Sequence, residues 1–227
     1  MRSNHVRPPH QAPRDATCQQ LLESAAGVFA EAGFRAATVR EICLRAGANI
    51  AAVNYHFGDK ETLYRQALQH ALRCAREKYP PTLGLSRKAS PAERLKAFVL
   101  SFLLRIFDQG RHAWHGKLML REMVEPTQAL DDLVAGEIRP MSRSLRSIVR
   151  GVLGARASEE RVRLCSMSVV SQVLFYHHCR PVTVRLHPKM KFDPLSLERL
   201  AEHITQFSLA AMKEFRNRPP TIAKNAI

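Results

Sequence analysis

The sequence predicts an all-α chain in two unequal parts, an N-terminal three-helix unit built around a helix-turn-helix and a larger helical domain behind it. Apolar residues recur at spacings of three and four in one segment after another, while a period of two is sustained nowhere. The pair Pro80 and Pro81 breaks the pattern and marks the division. A length of 227 residues exceeds the ~100–200 of an ordinary domain, so two domains of different size fit. With 45% hydrophobic and 24% charged residues the chain is globular, which leaves looseness to its ends.

Residues 1–14 hold three prolines and no apolar periodicity, and are expected to form a flexible basic arm. Cys18, Leu22, Ala25 and Phe29 then make one stripe of a helix over about 16–31, which Gly33 ends. Thr38 stands three residues before Glu41, the spacing of a reciprocal capping box, and opens a second helix reaching about residue 46. Gly47 suits a left-handed turn, and Asn49 caps a third short helix that ends at Phe57. Asp59 caps a fourth helix with Leu63, Ala67, Leu68, Ala71, Leu72 and Ala75 on its apolar face. The expected domains are therefore 15–80, with the helix-turn-helix at 38–57, and 81–217, followed by a loose tail at 218–227. Amphipathic segments in the second domain cover about 91–109, 112–125, 127–153, 158–178 and 195–215, and Pro140 should kink or divide the third.

The chain carries 35 Lys+Arg against 20 Asp+Glu, a net charge of +15, so a polyanion is the first partner to consider. The excess is uneven: residues 1–80 hold 11 basic and 7 acidic side chains, and residues 81–227 hold 24 and 13. Five scattered cysteines without a C-x-x-C pair read as reduced thiols, as expected in the cytoplasm. The absence of an apolar run of ~18 residues and of a signal-peptide core leads to the same expectation, with no membrane partner.

Two short capped helices joined by a tight turn match the helix-turn-helix arrangement. Val53 and Phe57, four apart, turn inward toward Ile42 and Ala46, while Ile50 with Asn54 and Ala51 with Tyr55 cover the outer face. That face can enter a major groove. There Ile50, Ala51 and Ala52 meet thymine methyls or admit the backbone closely, and Asn54 is able to make two bonds to an adenine edge. The stretch TVREICLRAGANIAAVNYHFGDKETL (38–63) resembles the DNA-binding signature of TetR-type transcriptional repressors. The resemblance implies double-stranded operator DNA as partner, with phosphate contacts from Thr38, Arg40, Tyr55, His56 and Lys60 that position rather than specify, and half-buried packing is the alternative for His56. Asn49 is a helix cap first and a phosphate contact second. Ile50 departs from the polar or cationic residue often found at that position in the family.

Such proteins act as dimers on half-sites ~34–36 Å apart. The last two long helices are the expected homodimer surface, through Val162, Val169, Val173 and Leu174 and through Leu197, Leu200, Ala201, Ile204, Ser208 and Ala211, which would pair as a four-helix bundle, with packing inside the monomer as the alternative for these faces. From about residue 91 to 212 the chain resembles the CecR-like subgroup, through REMVEPTQALD (121–131), EIRP (137–140) and LFYHHCRPV (174–182). This likeness implies a small-molecule effector that releases the protein from DNA. Phe98, Phe102, Trp114, Leu118, Met119, Glu122, Met123 and Phe175 are the candidate pocket residues, and plain core packing is the alternative for each. Arg121, Glu122 and Glu125 either orient a polar effector or form an ion-pair cluster.

Three rival readings have their own signatures. His112 and His115, three apart, and the run His177, His178, Cys179 would serve a metal-responsive regulator, although they match no known ligand string, and the effector-released repressor expected above requires no metal or cofactor. An enzyme lacks support, since no nucleophile elbow, phosphate-cradling loop or dinucleotide fingerprint is found. A protein that coats DNA without sequence preference would need only the charge.

Overall fold

The computed structural model describes residues 12–86, 88–110 and 113–217, with side chains from Ala16 onward. The expected tail at 218–227 and the arm before residue 12 lie outside the described residues. Helix α1 (Ala12–Ala36) starts earlier than the periodicity indicated, because Pro13 occupies a first turn in which its missing N–H has no intrahelical partner to lose. Gly33 interrupts α1 with φ 80° and ψ 169°, a backbone geometry reserved for glycine. Then follow α2 (Val39–Ala46), α3 (Ile50–Phe57) and α4 (Lys60–Lys78), each within a residue of expectation.

Local capping explains that agreement. Thr38 Oγ1 accepts from the Glu41 amide at 3.1 Å, Asn49 Oδ1 from Ala51 at 3.1 Å, and Asp59 Oδ1 from Thr62 at 2.7 Å. The expected reciprocal box at Thr38 is only half formed. The Glu41 carboxylate accepts instead from Arg45 at 2.8 Å, and Arg45 also pairs with Glu31 at 2.8 Å. A complete box is found at Ser90 and Glu93, where it opens α5 (Pro91–Ile106).

Helix α6 (Trp114–Val124) leads to α7 (Ala129–Leu133), a π-helical turn (Val134–Ile138) and α8 (Arg139–Leu153). The division expected at Pro140 is this turn: proline offers no N–H to the carbonyl four residues back and crowds it, and the wider winding relieves the clash. After α9 (Glu159–His178) comes α10 (Arg180–Leu186), which the periodicity did not announce because it is two turns long and begins beside Pro181. Helix α11 (Pro194–Asn217) ends the described chain. Among the described residues, no helix is long and apolar enough to cross a membrane.

Two cores organise these helices. The first joins Leu21, Phe29, Ile42, Val53, Phe57, Leu63 and Tyr64 to Leu118 of α6 and Leu133 of α7, so the N-terminal unit is packed well past the boundary drawn at residue 80. The second lies among α5, α8, α9 and α11. Of the two uses expected for these faces, the structure shows the packing inside the monomer. Val162, Val169, Val173, Leu197, Leu200, Ala201, Ile204 and Ser208 are all buried within this one chain. The opposite face of α9 exposes Leu164, Met167 and Phe175, and α11 exposes Phe207 beside its buried face. Both faces of each helix are apolar enough to pack, and periodicity could not say which would turn inward.

Candidate nucleic-acid interface

Helix α3 is presented by its own core contacts. Val53 and Phe57 are buried against the first core, as their spacing indicated, and each such burial stabilises the unit by about 1.5–3 kcal/mol. Gly47, at φ 62° and ψ 30°, ends α2 in the left-handed conformation, and its amide bonds the Leu44 carbonyl at 3.3 Å. The turn therefore fixes the angle at which α3 leaves α2. On the outer side Asn49, Ile50, Ala51, Asn54 and Tyr55 are exposed, with Tyr55 at 70% and Ile50 at 47%. Thr38 and Arg40 are exposed at the opening of α2.

The remaining candidates are partly engaged. Ala52 is partly buried and packs against the first core rather than reaching outward. His56 is half-buried, with its ring 5.0 Å from Tyr55 and 6.0 Å from Phe57. Lys60 donates from Nζ to the Arg35 carbonyl at 3.2 Å and lies 4.9 Å from the centre of the Phe34 ring. It thus ties α4 to the end of α1 while two of its N–H groups remain for a phosphate. Asn49 uses its side-chain oxygen for the cap, which leaves its amide nitrogen outward.

The unit is braced from behind by α6. Arg121 donates from Nε to the Ala30 carbonyl at 2.9 Å and from Nη2 to the Glu31 carbonyl, satisfying acceptors just before the break in α1. A side chain at Gly33 would stand 2.8 Å from Arg121 Nη1, so the glycine serves this approach as well as the backbone turn. Glu122 is fully buried and accepts from Tyr64 Oη at 2.5 Å, from the Thr127 amide at 3.1 Å and from Thr127 Oγ1 at 3.0 Å. Burial, followed by the Glu122 carboxylate, pushes the Tyr64 hydroxyl far above its usual range and keeps it a donor. Arg121 and Glu122 are therefore a brace between the two parts of the molecule, a role their sequence neighbourhood could not show because Tyr64 and the end of α1, the partners that make it, lie 58 to 91 residues away.

The eight pocket candidates do not line one space. Phe98 and Phe102 are buried in the second core, Leu118 is buried in the first, and Trp114 and Met119 pack against the first. Glu122 is in the brace, while Met123 and Phe175 are exposed at 46% and 55%. Phe98 alone of the eight borders the cleft of about 190 Å³ formed with Pro81, Leu85, Arg94, Ser144 and Ile148. As for the metal reading, His112 lies outside the described residues, and among those described no three His, Cys, Asp or Glu side chains gather to hold an ion.

Comparison with known proteins agrees with this geometry. The model of "Bacterial regulatory proteins, tetR family" matches residues 21–67, and that of the "HTH-type transcriptional dual regulator CecR, C-terminal domain" matches residues 91–212. The chain is 29% identical to the dual regulator CecR of Shigella flexneri over 82% of its length and 87% of that protein. It is 30% identical to the transcriptional activator FasR of Mycolicibacterium smegmatis, covering 76% of this chain and 78% of that one. The transcriptional repressor KstR2 of Mycobacterium tuberculosis is 38% identical over 84 residues, 37% of this chain and 41% of its own. The fold is shared with a solved transcriptional regulator of Pseudomonas aeruginosa PAO1, at a TM-score of 0.67 and 19% identity over 90% of this chain and 96% of that one.

Proposed function

Because this chain belongs to the TetR family of bacterial regulatory proteins and carries a CecR-type C-terminal domain, we propose that it represses transcription from a palindromic operator near its own gene and is released when a small molecule enters that domain. It is a DNA-binding transcriptional regulator and not an enzyme. The observation that carries the reading is the division of α3 into a buried face, Val53 and Phe57, and a free face, Ile50, Ala51, Asn54 and Tyr55. An eight-residue helix is ~12 Å long and fits a major groove. On this reading Asn54 reads an adenine, Ile50, Ala51 and Ala52 set the close apolar approach, and Thr38, Arg40, Asn49, Tyr55, His56 and Lys60 grip phosphates.

The exposed apolar residues of α9 and α11 support a homodimer. Leu164, Met167 and Phe175 lie within one stripe of α9, and Phe207 is exposed on α11, so a second copy would cover them in a four-helix bundle. The brace through Arg121 and Glu122 supports release, since any shift of α6 bears directly on the end of α1 and on α4. Relatives include a repressor, an activator and a dual regulator, so the sign of control is the point to test. A reporter driven by the DNA upstream of the gene should rise several-fold when the protein is removed. A fall would make it an activator.

A further inference from the structure

We propose that the cleft between α5, α8 and the linker that follows α4 binds a small aromatic carboxylic acid, whose carboxylate pairs with Arg94. It deepens the effector-release reading, on which its consequence at DNA rests. The cleft is one space of about 190 Å³. The buried side chains of Phe98 on α5 and Ile148 on α8 form its floor, and Pro81 and Leu85 of the linker stand beside it. Leu85 is 39% exposed, an apolar surface that a ring lying in the cleft would cover.

The linker is bent to make this space. Its start is pinned where Ser101 Oγ of α5 donates to the Tyr79 carbonyl at 2.8 Å. Leu83 then stands at φ 45°, in the left-handed region that leucine rarely enters, and Gly84 follows at φ 79°. The Leu83 and Leu85 amides close this bend on the Pro80 and Thr82 carbonyls, both at 2.9 Å. Pro81 and Thr82 before the bend and Leu85 and Ser86 after it therefore border the same cleft. Strained residues held in place by their surroundings cluster at ligand clamps, and this one spans a cavity.

The charge in the cleft selects the class of ligand. Among the described residues that line it, Arg94 alone is ionisable; it is half-buried, and its guanidinium makes no hydrogen bond or ion pair with any described residue. Carboxylates on α5 and the helices packed with it are engaged elsewhere: Glu93 with Ser90, Glu202 with Lys96, and Glu159 with Arg146 and Arg150. Arg87, outside the described residues, is itself basic. A guanidinium partly withdrawn from water gains most from a carboxylate that accepts two parallel N–H bonds. Thr82, Ser86 and Ser144 add hydroxyl groups to the lining, and Ser86 Oγ accepts from the Lys88 amide at 3.2 Å, which leaves its hydrogen to donate. The volume lies below the ~300–1,000 Å³ of drug-sized pockets, so it selects a single ring over a long chain, and the Phe98 ring in the floor favours an aromatic one. A bound acid ties the linker to α5 and α8 at the point where the chain leaves α4, the helix packed into the DNA-binding unit.

The test is titration calorimetry of the full chain, at fixed ionic strength, with benzoate, phenylacetate, benzyl alcohol, acetate and inorganic phosphate. The tighter of the two aromatic acids should bind once per chain, at least about tenfold more tightly than the alcohol, acetate or phosphate. Arg94→Gln should weaken that acid by about tenfold or more and leave benzyl alcohol unchanged. Ser144→Leu, at an exposed position, fills the cleft and should weaken acid and alcohol together; it also serves should Arg94→Gln fail to fold. No saturable binding of either aromatic acid, equal binding of acid and alcohol, phosphate binding as tight as the acid, or acid binding undiminished in the variants would overturn the site. A changed oligomeric state in Arg94→Gln, without acid binding by the parent, would give the cleft to a second copy and overturn it as well. Release from the DNA upstream of the gene is read in parallel: an acid that binds selectively without loosening DNA upholds the site and overturns the release reading.

Discussion

Asn54 and Lys60 lie six positions apart and offer different chemistry to DNA. An amide can match the paired donor and acceptor of an adenine edge, whereas an ammonium meets any phosphate equally. Asn54→Ala should therefore reduce discrimination between operator variants by about 1–3 kcal/mol in competition binding. Lys60→Ala should weaken binding evenly across sequences and lower the salt slope by ~1. A changed sequence preference in the lysine variant would reverse the assignment of roles. The buried histidines make a separate forecast. Burial, with neighbouring positive groups, lowers His115 to about 3 and His177 to about 4, whereas both sit near ~6.5 once unfolded. The unfolded chain then binds protons that the folded chain refuses, so the stabilisation is complete above pH ~6.5 and is lost as pH falls toward the folded values. Urea midpoints should fall between pH 7 and 5, and His115→Leu should flatten that fall.

At the scale of the element, α6 connects the two cores. Its Glu122 gathers Tyr64 and Thr127 in the interior, and Arg121 closes on the end of α1. Tyr64→Phe removes one donor to a buried carboxyl and should cost about 1–3 kcal/mol, which for a chain of this size lowers the Tm by roughly 3–10 °C. An unchanged Tm would mean that the bond contributes nothing net. What was legible in the sequence follows the reach of each interaction. Thr38, Asn49 and Asp59 cap helices within three residues of themselves, so the bounds of α2, α3 and α4 could be read directly. The inward turn of Val53 and Phe57 was equally local. Arg121, Glu122 and Lys60 find partners 25 to 91 residues away, and no periodicity reports that. Helix α10 was hidden by Pro181, which separates segments in a sequence but also fits a helical first turn.

For the whole molecule, the charge that first suggested a polyanion lies mostly outside the part that meets DNA. Arg139, Arg143, Arg146 and Arg150 repeat at four, three and four along one face of α8, where Glu159 pairs with two of them. On the proposed reading, recognition rests instead on a few exposed side chains held at a fixed angle by the first core. The inner faces of α9 and α11 complete the second core and leave aromatic outer faces for another copy, so two α3 helices would be presented together. Selection of bound sequences from random duplex DNA by the purified chain, at fixed salt, tests this most directly. The account predicts one enriched motif with two-fold symmetry, its half-sites about one helical turn apart. Uniform binding without an enriched motif would contradict it, and would leave the net charge of +15 as the whole basis of DNA affinity.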